Sequence, residues 1–127
     1  MNEDNLRYFF SICELLSEQS KCKKLRVGAV IVRNERIIVA SGYNRVISAC
    51  NCCARTGCAS GEKQELCNAI HAEQNAIGFC ARLGIKIEGC DLICTHKPCP
   101  ICEKLIKWAG IRNIYYKNDY PVKNLCE

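Results

Sequence analysis

Apolar residues recur at two different periods along the chain, and each change of period marks a new element. Leu6, Phe9, Phe10, Cys13 and Leu16 fall three or four apart, which predicts an amphipathic helix over residues 4–19 with a core-facing stripe. Val27 to Val32 is rich in β-branched residues and reads as a strand. Arg33-Asn34-Glu35-Arg36 is a polar turn, and Ile37 to Ser41 is the return strand of a hairpin that ends near Gly42-Tyr43-Asn44. Residues 45–66 carry neither period. The helical period returns over residues 69–83 through Ile70, Ala76, Ile77, Cys80, Ala81 and Leu83, with Gly84 as the stop. Asp91 to Thr95 is a short apolar strand. Pro100 to Ala109 is a third helix with proline in its first turn, and Asn113 to Tyr116 is a further strand. The order helix, hairpin, helix, strand, helix, strand predicts an α/β layer architecture. The strands on either side of the third helix should run parallel.

Composition narrows the class without altering this picture. The chain has 127 residues, 49% of them apolar, enough for one compact core, so a single domain over residues 1–127 is expected. No apolar run approaches the roughly 18 residues of a membrane span. Met1-Asn2-Glu3-Asp4 is too polar and acidic for a secretory signal. The formal charge of +5 is scattered, apart from Lys21, Lys23, Lys24 and Arg26. A solvated surface accounts for it, and attraction to a nucleotide or nucleic acid is the alternative that charge alone does not decide. Thirteen cysteines are the anomaly. The count is odd and much of the chain has ordinary helix and strand patterns, which favours a reducing, cytoplasmic compartment with metal-bound thiolates over a disulfide framework.

Two short stretches carry the chemistry: His71-Ala72-Glu73 and Pro98-Cys99-Pro100-Ile101-Cys102. Both fall where a helix is expected to begin. Cys99 and Cys102 are three apart and share one face of a first helical turn. The positive end of a helix favours thiolate over thiol there. His71 and Glu73 are two apart, so both serve one site only at an irregular first turn, with His71 on a metal and Glu73 beside it. One imidazole and two thiolates leave the fourth position of a tetrahedral zinc open to water. Zinc lowers the pKa of water from about 15.7 towards about 7. Glu73, itself not a ligand, is then the carboxylate that moves protons. A lone Cys-x-x-Cys could equally be a redox pair or part of a structural zinc site; its company with His-Ala-Glu selects a catalytic zinc. His-x-Glu followed by Pro-Cys-x-x-Cys is the signature of the zinc nucleobase deaminases. The reaction class is hydrolytic deamination of an amino-pyrimidine or amino-purine.

A longer set of residues is more specific. It runs through Cys22, Val27 to Val32, Gly42-Tyr43-Asn44, Ser60 to Cys67, His71 to Ile77, Ile87-Glu88-Gly89, Thr95 to Cys102 and Ala109-Gly110-Ile111. Over about Ser20 to Tyr120 the chain resembles the deoxycytidylate (dCMP) deaminase family. The resemblance implies a three-layer α/β/α cytidine-deaminase-like fold with a mixed five-stranded sheet, a homo-oligomer, and conversion of dCMP to dUMP and ammonia. It also implies that Asn44 contacts sugar or base, that the Ala72 N–H meets the pyrimidine carbonyl, and that Tyr120 stacks over the base. Asn44 also suits a plain turn residue, and Tyr120 a surface tyrosine before Pro121. The family has Gly, a variable residue and Pro after Tyr-Asn, where this chain has Arg45-Val46-Ile47. That departure bears on phosphate binding and nucleotide regulation. Arg45 and Lys97 are cations that can bind a phosphate or stay solvated.

The resemblance further places a second, structural zinc at Cys22 and Cys52, with its other ligands from the stretch holding Cys58 and Cys67. Four thiolates would close a tetrahedral site and staple the irregular loop at about 45–67. Cys50 and Cys53 are alternatives to Cys52, and an iron–sulfur cluster is an alternative use of four thiolates. Cys13, Cys80 and Cys94 lie among apolar neighbours and read as core, while Cys90 and Cys126 have no evident partner. Two other functions compete: a deaminase of tRNA or another polynucleotide, and a non-catalytic zinc-stabilised interaction protein. The match over Ser60 to Cys67 favours a small nucleotide over nucleic acid, and Glu73 argues against a purely structural role. No membrane partner is expected.

Overall fold

The computed structural model describes residues 1–22, 25–46 and 69–118. Helix α1 (Glu3–Ser17) opens with Asn2 as its N-cap, whose Oδ1 accepts the Asn5 N–H at 2.8 Å. Glu3 and Asp4 in the first turn complement the positive helix end. Strands β1 (Gly28–Arg33) and β2 (Ile37–Tyr43) form the expected hairpin. Asn34 and Glu35 both have positive φ, the backbone of a tight hairpin turn that suits right-twisted strands.

Strand β5 (Asp91–His96) pairs antiparallel with β1 and parallel with β6 (Asn113–Asn118), so α3 (Pro100–Trp108) spans the predicted parallel crossover. The sheet order is β2-β1-β5-β6. Among the described residues it has four strands, one fewer than the expected five. Two short strands, β3 (Arg45–Val46) and β4 (Ala69–Ile70), pair antiparallel in a separate ladder. The second helix, α2 (Ala72–Leu83), therefore begins later than the predicted residue 69. Ala69 and Ile70 fit a helical apolar stripe, but their backbone pairs with Arg45 and Val46, and His71 is itself extended at φ −72° and ψ 157°.

Side chains of β1 and β5 alternate between two cores. Val30, Val32 and Ile93 meet Phe9 and Cys13 of α1 on one face. Ala29, Ile31, Leu92 and Cys94 meet Ala76, Cys80, Cys102 and Ile106 of α2 and α3 on the other. The three expected layers are present, and the central strands are covered on both faces, which is why they read as unbroken apolar runs. Cys13, Cys80 and Cys94 are core residues as predicted, and Cys90, which had no evident partner, is packed in the same core as Cys80. Asp91 is buried at the start of β5 and fully served there. Arg112 Nη2 donates to it at 3.2 Å and Asn113 Nδ2 at 3.1 Å, which ties β5 to β6. Among the described residues no helix is long and apolar enough to cross a membrane.

Two glycines allow the helices to sit this close. A Cβ on Gly28 would stand 1.9 Å from the Cys13 carbonyl oxygen of α1. A Cβ on Gly42 would stand 2.5 Å from the Ala72 oxygen and 2.8 Å from the Ala76 nitrogen of α2. Both distances at Gly42 are to backbone, which cannot swing aside. Gly42→Ala should therefore destabilise the fold by about 1–3 kcal/mol, the usual cost of overpacking. Urea unfolding measures it, and a midpoint equal to that of the wild type would contradict the packing described.

Candidate active site

Two helix N-termini converge at one place. His71 is the N-cap of α2 and Cys99 the N-cap of α3, both in extended backbone, with Pro100 at the start of the α3 helix. An N-cap residue points its side chain back across the helix end and not along the helix flank. That resolves the two-residue spacing of His71 and Glu73, since His71 precedes the helix and Glu73 lies within its first turn. The Cys102 N–H donates to Cys99 Sγ at 3.5 Å, so the thiol caps its own helix. His71 Nδ1 lies 3.0 Å from Cys102 Sγ and 3.6 Å from Cys99 Sγ. The three donor atoms all fall within 4.8 Å of one another.

This donor set fits zinc. Tetrahedral bonds of about 2.0–2.3 Å place ligand atoms roughly 3.5–3.8 Å apart; His71 Nδ1 to Cys99 Sγ matches this at 3.6 Å, and Cys102 Sγ at 3.0 Å needs to move outward by about half an ångström. The thiols are also electrically prepared. The hydrogen bond from Cys102 pulls Cys99 down to about 3, with His71 assisting. The same bond, together with burial, pushes Cys102 up. A divalent cation binds both cysteines as thiolates, displacing the proton between them.

Glu73 is the informative group. It is 4% exposed, and burial pushes its carboxyl above the usual range. His71 opposes that shift, and Cys102 lies within hydrogen-bonding reach of the carboxylate. Asp91 is equally buried but has an arginine and an asparagine. Among the described residues Glu73 has no ion pair with lysine or arginine. A buried carboxylate without a cation costs stability, and one beside a ligand cluster marks a reactive site.

The other predicted residues divide. Ala72 is buried in the first turn of α2, where helix geometry leaves N–H groups without intrahelical partners. Asn44 acts on the backbone: its Oδ1 accepts the Val27 N–H at 3.0 Å and its Nδ2 donates to the Leu25 carbonyl at 2.6 Å. Arg45 is exposed, with its guanidinium 5.3 Å from the centre of the Tyr43 ring, and it pairs in register with Ile70, the residue before His71. Lys97 is exposed and lines a groove of about 390 Å³ with Lys107, Arg112 and Tyr116 on the β6 side of α3. That groove includes none of His71, Glu73, Cys99 and Cys102. Cys22 is partly buried, with its N–H donating to Ser20 Oγ at 3.2 Å. Cys52, Cys58, Cys67 and Tyr120 lie outside the described residues.

Three supporting residues fall in stretches that carry the resemblance but had no role assigned from the sequence. Gln74 Oε1 accepts the His71 N–H at 2.9 Å, Asn75 Oδ1 accepts the Tyr43 N–H at 3.2 Å, and Gly42 admits the first turn of α2. A signal for Gln74 existed, since glutamine three residues after an N-cap is half of a capping box.

A mixed sheet that aims two helix ends, one imidazole, two thiolates and a buried carboxylate at one point is the layout of a zinc-dependent deaminase domain. The chain belongs to the family described as the cytidine and deoxycytidylate deaminase zinc-binding region, whose model matches residues 3–118. ComE operon protein 2 of Bacillus subtilis is 42% identical over 114 residues, which are 90% of this chain and 59% of that protein. Deoxycytidylate deaminase of Enterobacteria phage T4 is 34% identical, with 86% of this chain and 75% of the phage protein covered. The dCMP deaminase of cyanophage S-TIM5, solved in complex with dCMP and dUMP, superposes with a TM-score of 0.77 at 36% identity, covering 94% of this chain and 85% of that one. The chain thus spans under two thirds of the Bacillus protein and most of the two phage enzymes.

Proposed function

We propose that this chain hydrolyses the exocyclic amine of a cytosine nucleotide, converting dCMP and water to dUMP and ammonia. The observation that carries this reading is Glu73, buried and without a lysine or arginine partner among the described residues, beside the convergent His71, Cys99 and Cys102. The nucleotides and names of the phage relatives support dCMP as the substrate. His71, Cys99 and Cys102 would hold zinc, which when bound makes hydroxide accessible from water near neutral pH. Glu73 takes the proton of the attacking water, delivers it to the ring nitrogen, and carries a proton on to the departing amine. The carbon–oxygen bond forms first; the carbon–nitrogen bond then breaks as Glu73 passes the remaining proton of the added water to the amine, ammonia leaves, and the carboxylate ends in its starting state. The Ala72 N–H at the positive end of α2 meets the pyrimidine carbonyl.

Asn44 orders the edge of the pocket through Leu25 and Val27 and presents its remaining polar capacity to the sugar, with Tyr120 over the base. Arg45, beside Tyr43 and one ladder position from His71, is the better placed phosphate partner; Lys97 lines a groove that includes none of the ligand residues. The reading covers one catalytic domain in the cytoplasm, its loop at about 45–67 stapled by a second zinc on Cys22, Cys52, Cys58 and Cys67. Ile101, Leu105 and Trp108 form an exposed apolar row on α3, with Trp108 89% exposed, which supports a homo-oligomer. Sedimentation velocity should show an oligomer that Trp108→Ala weakens; a monomeric wild type would remove this part.

Ammonia release should be fastest with dCMP, about 10–150-fold above deoxycytidine in kcat/KM, as a charge-assisted phosphate contact allows. Glu73→Gln should lose at least about 10²–10⁴-fold in kcat with its zinc retained. Near-native turnover in Glu73→Gln would refute the proton-transfer role. Preference for an anticodon stem would point to a polynucleotide deaminase, and inactivity on every base, nucleotide and RNA to an interaction protein. Metal analysis should find two zinc ions per chain, falling by one in Cys67→Ser and by one in Cys99→Ala. A single zinc in the fully loaded wild type would rule out the staple.

A further inference from the structure

Glu73 is followed by two amides that take no part in the proposed proton transfers. The Gln74 amide acts on the His71 backbone, and the Asn75 amide acts on the neighbouring strand. Gln74 Oε1 accepts the His71 N–H at 2.9 Å, and the Asn75 N–H donates to the His71 carbonyl at 2.8 Å. Asn75 Oδ1 accepts the Tyr43 N–H at 3.2 Å and so ties the same turn to β2. Both backbone polar groups of His71 are therefore held by residues of the helix it caps. Serine or threonine at an N-cap would spend its side chain on the helix end. His71 forms a capping box with Gln74, and its Nδ1 also lies 3.6 Å from Cys99 Sγ and 3.0 Å from Cys102 Sγ. The return bond to Gln74 fixes the backbone from which the imidazole extends toward the thiols.

We infer that Gln74 is a positioning residue for the metal: its side-chain carbonyl sets the His71 backbone so that Nδ1 and the two thiolates can reach one ion. The inference rests on the reading of His71, Cys99 and Cys102 as zinc ligands. It is specific about chemistry. The position needs an acceptor at the end of a three-carbon side chain, and glutamate supplies one as well as glutamine does. A negative charge in the first turn of α2 is also favoured by the helix dipole. Outer partners of metal ligands typically change metal affinity by about 10–100-fold.

The test uses the zinc-loaded full chain and follows transfer of the ion to a chromogenic chelator, reading the component that Cys99→Ala lacks. Gln74→Ala should release it about 10–100-fold faster than the wild type, and Gln74→Glu should restore the slow rate. Cobalt(II) in the same site should show an altered ligand-field band in Gln74→Ala and a wild-type band in Gln74→Glu. If Gln74→Ala does not fold, Gln74→Met keeps the side-chain length without a strong acceptor and carries the same expectation. Asn2→Ala removes the comparable cap of α1, away from the metal, and should leave release unchanged. Wild-type release by Gln74→Ala, no rescue by Gln74→Glu, or equal acceleration by Asn2→Ala would each overturn the inference while leaving the zinc reading intact. A wild-type chain with no zinc component that depends on Cys99 would overturn both.

Discussion

The constraint on which the molecule turns is that three donor atoms from two separate helices must meet within 4.8 Å. Neither helix can satisfy it alone, because His71 comes from α2 and both cysteines from α3. The sheet settles the geometry. Strand β5 lies between β1 and β6, and α3 leaves its end and returns in parallel to β6. Helix α2 is held to the adjoining hairpin by Gly42, which lets backbone approach backbone, and by Asn75 on the Tyr43 N–H. The buried staple of Asp91 with Arg112 and Asn113 secures the opposite end of β5. Each feature matters to the chemistry because a displacement of either helix moves a donor atom out of bonding range.

The contrast between the two buried carboxylates separates structure from function. Asp91 and Glu73 are comparably hidden from water. Asp91 accepts from the Arg112 guanidinium on both oxygens and from the Asn113 amide on Oδ1, so its charge is compensated and its role is to hold strands together. Glu73 faces thiols and an imidazole, an environment that raises its pKa through burial. Folding gains little from such a group. It makes sense where a proton must be accepted and returned, and the same surroundings become compensating once a dication lies among them.

Much of this was legible in the sequence because it rests on periodicity and on the chemistry of residue types. The helices, the hairpin, the parallel crossover and the His-Cys-Cys set all follow from spacing. The β3–β4 ladder was not legible, since two-residue strands have no period to read, and Ala69 and Ile70 happen to extend the stripe of α2. Cys90 had no recognisable role until the fold placed it in the core shared by Cys80. Asn44 illustrates a different limit. Its type suits a turn or a ligand contact, and only the fold shows its amide bonded to Leu25 and Val27. The role of Gln74 was hidden because histidine is not a usual N-cap, so the capping box lacked its familiar first member.

The central claim, a three-ligand zinc with its fourth position left to water beside Glu73, is tested most directly by anomalous diffraction at the zinc edge from crystals of the loaded protein. The account predicts a peak roughly 2.0–2.3 Å from His71 Nδ1, Cys99 Sγ and Cys102 Sγ, with the Glu73 carboxylate near but not bonded to it. A metal bound directly by Glu73, one closed by a fourth protein ligand, or no metal among these three side chains would contradict it.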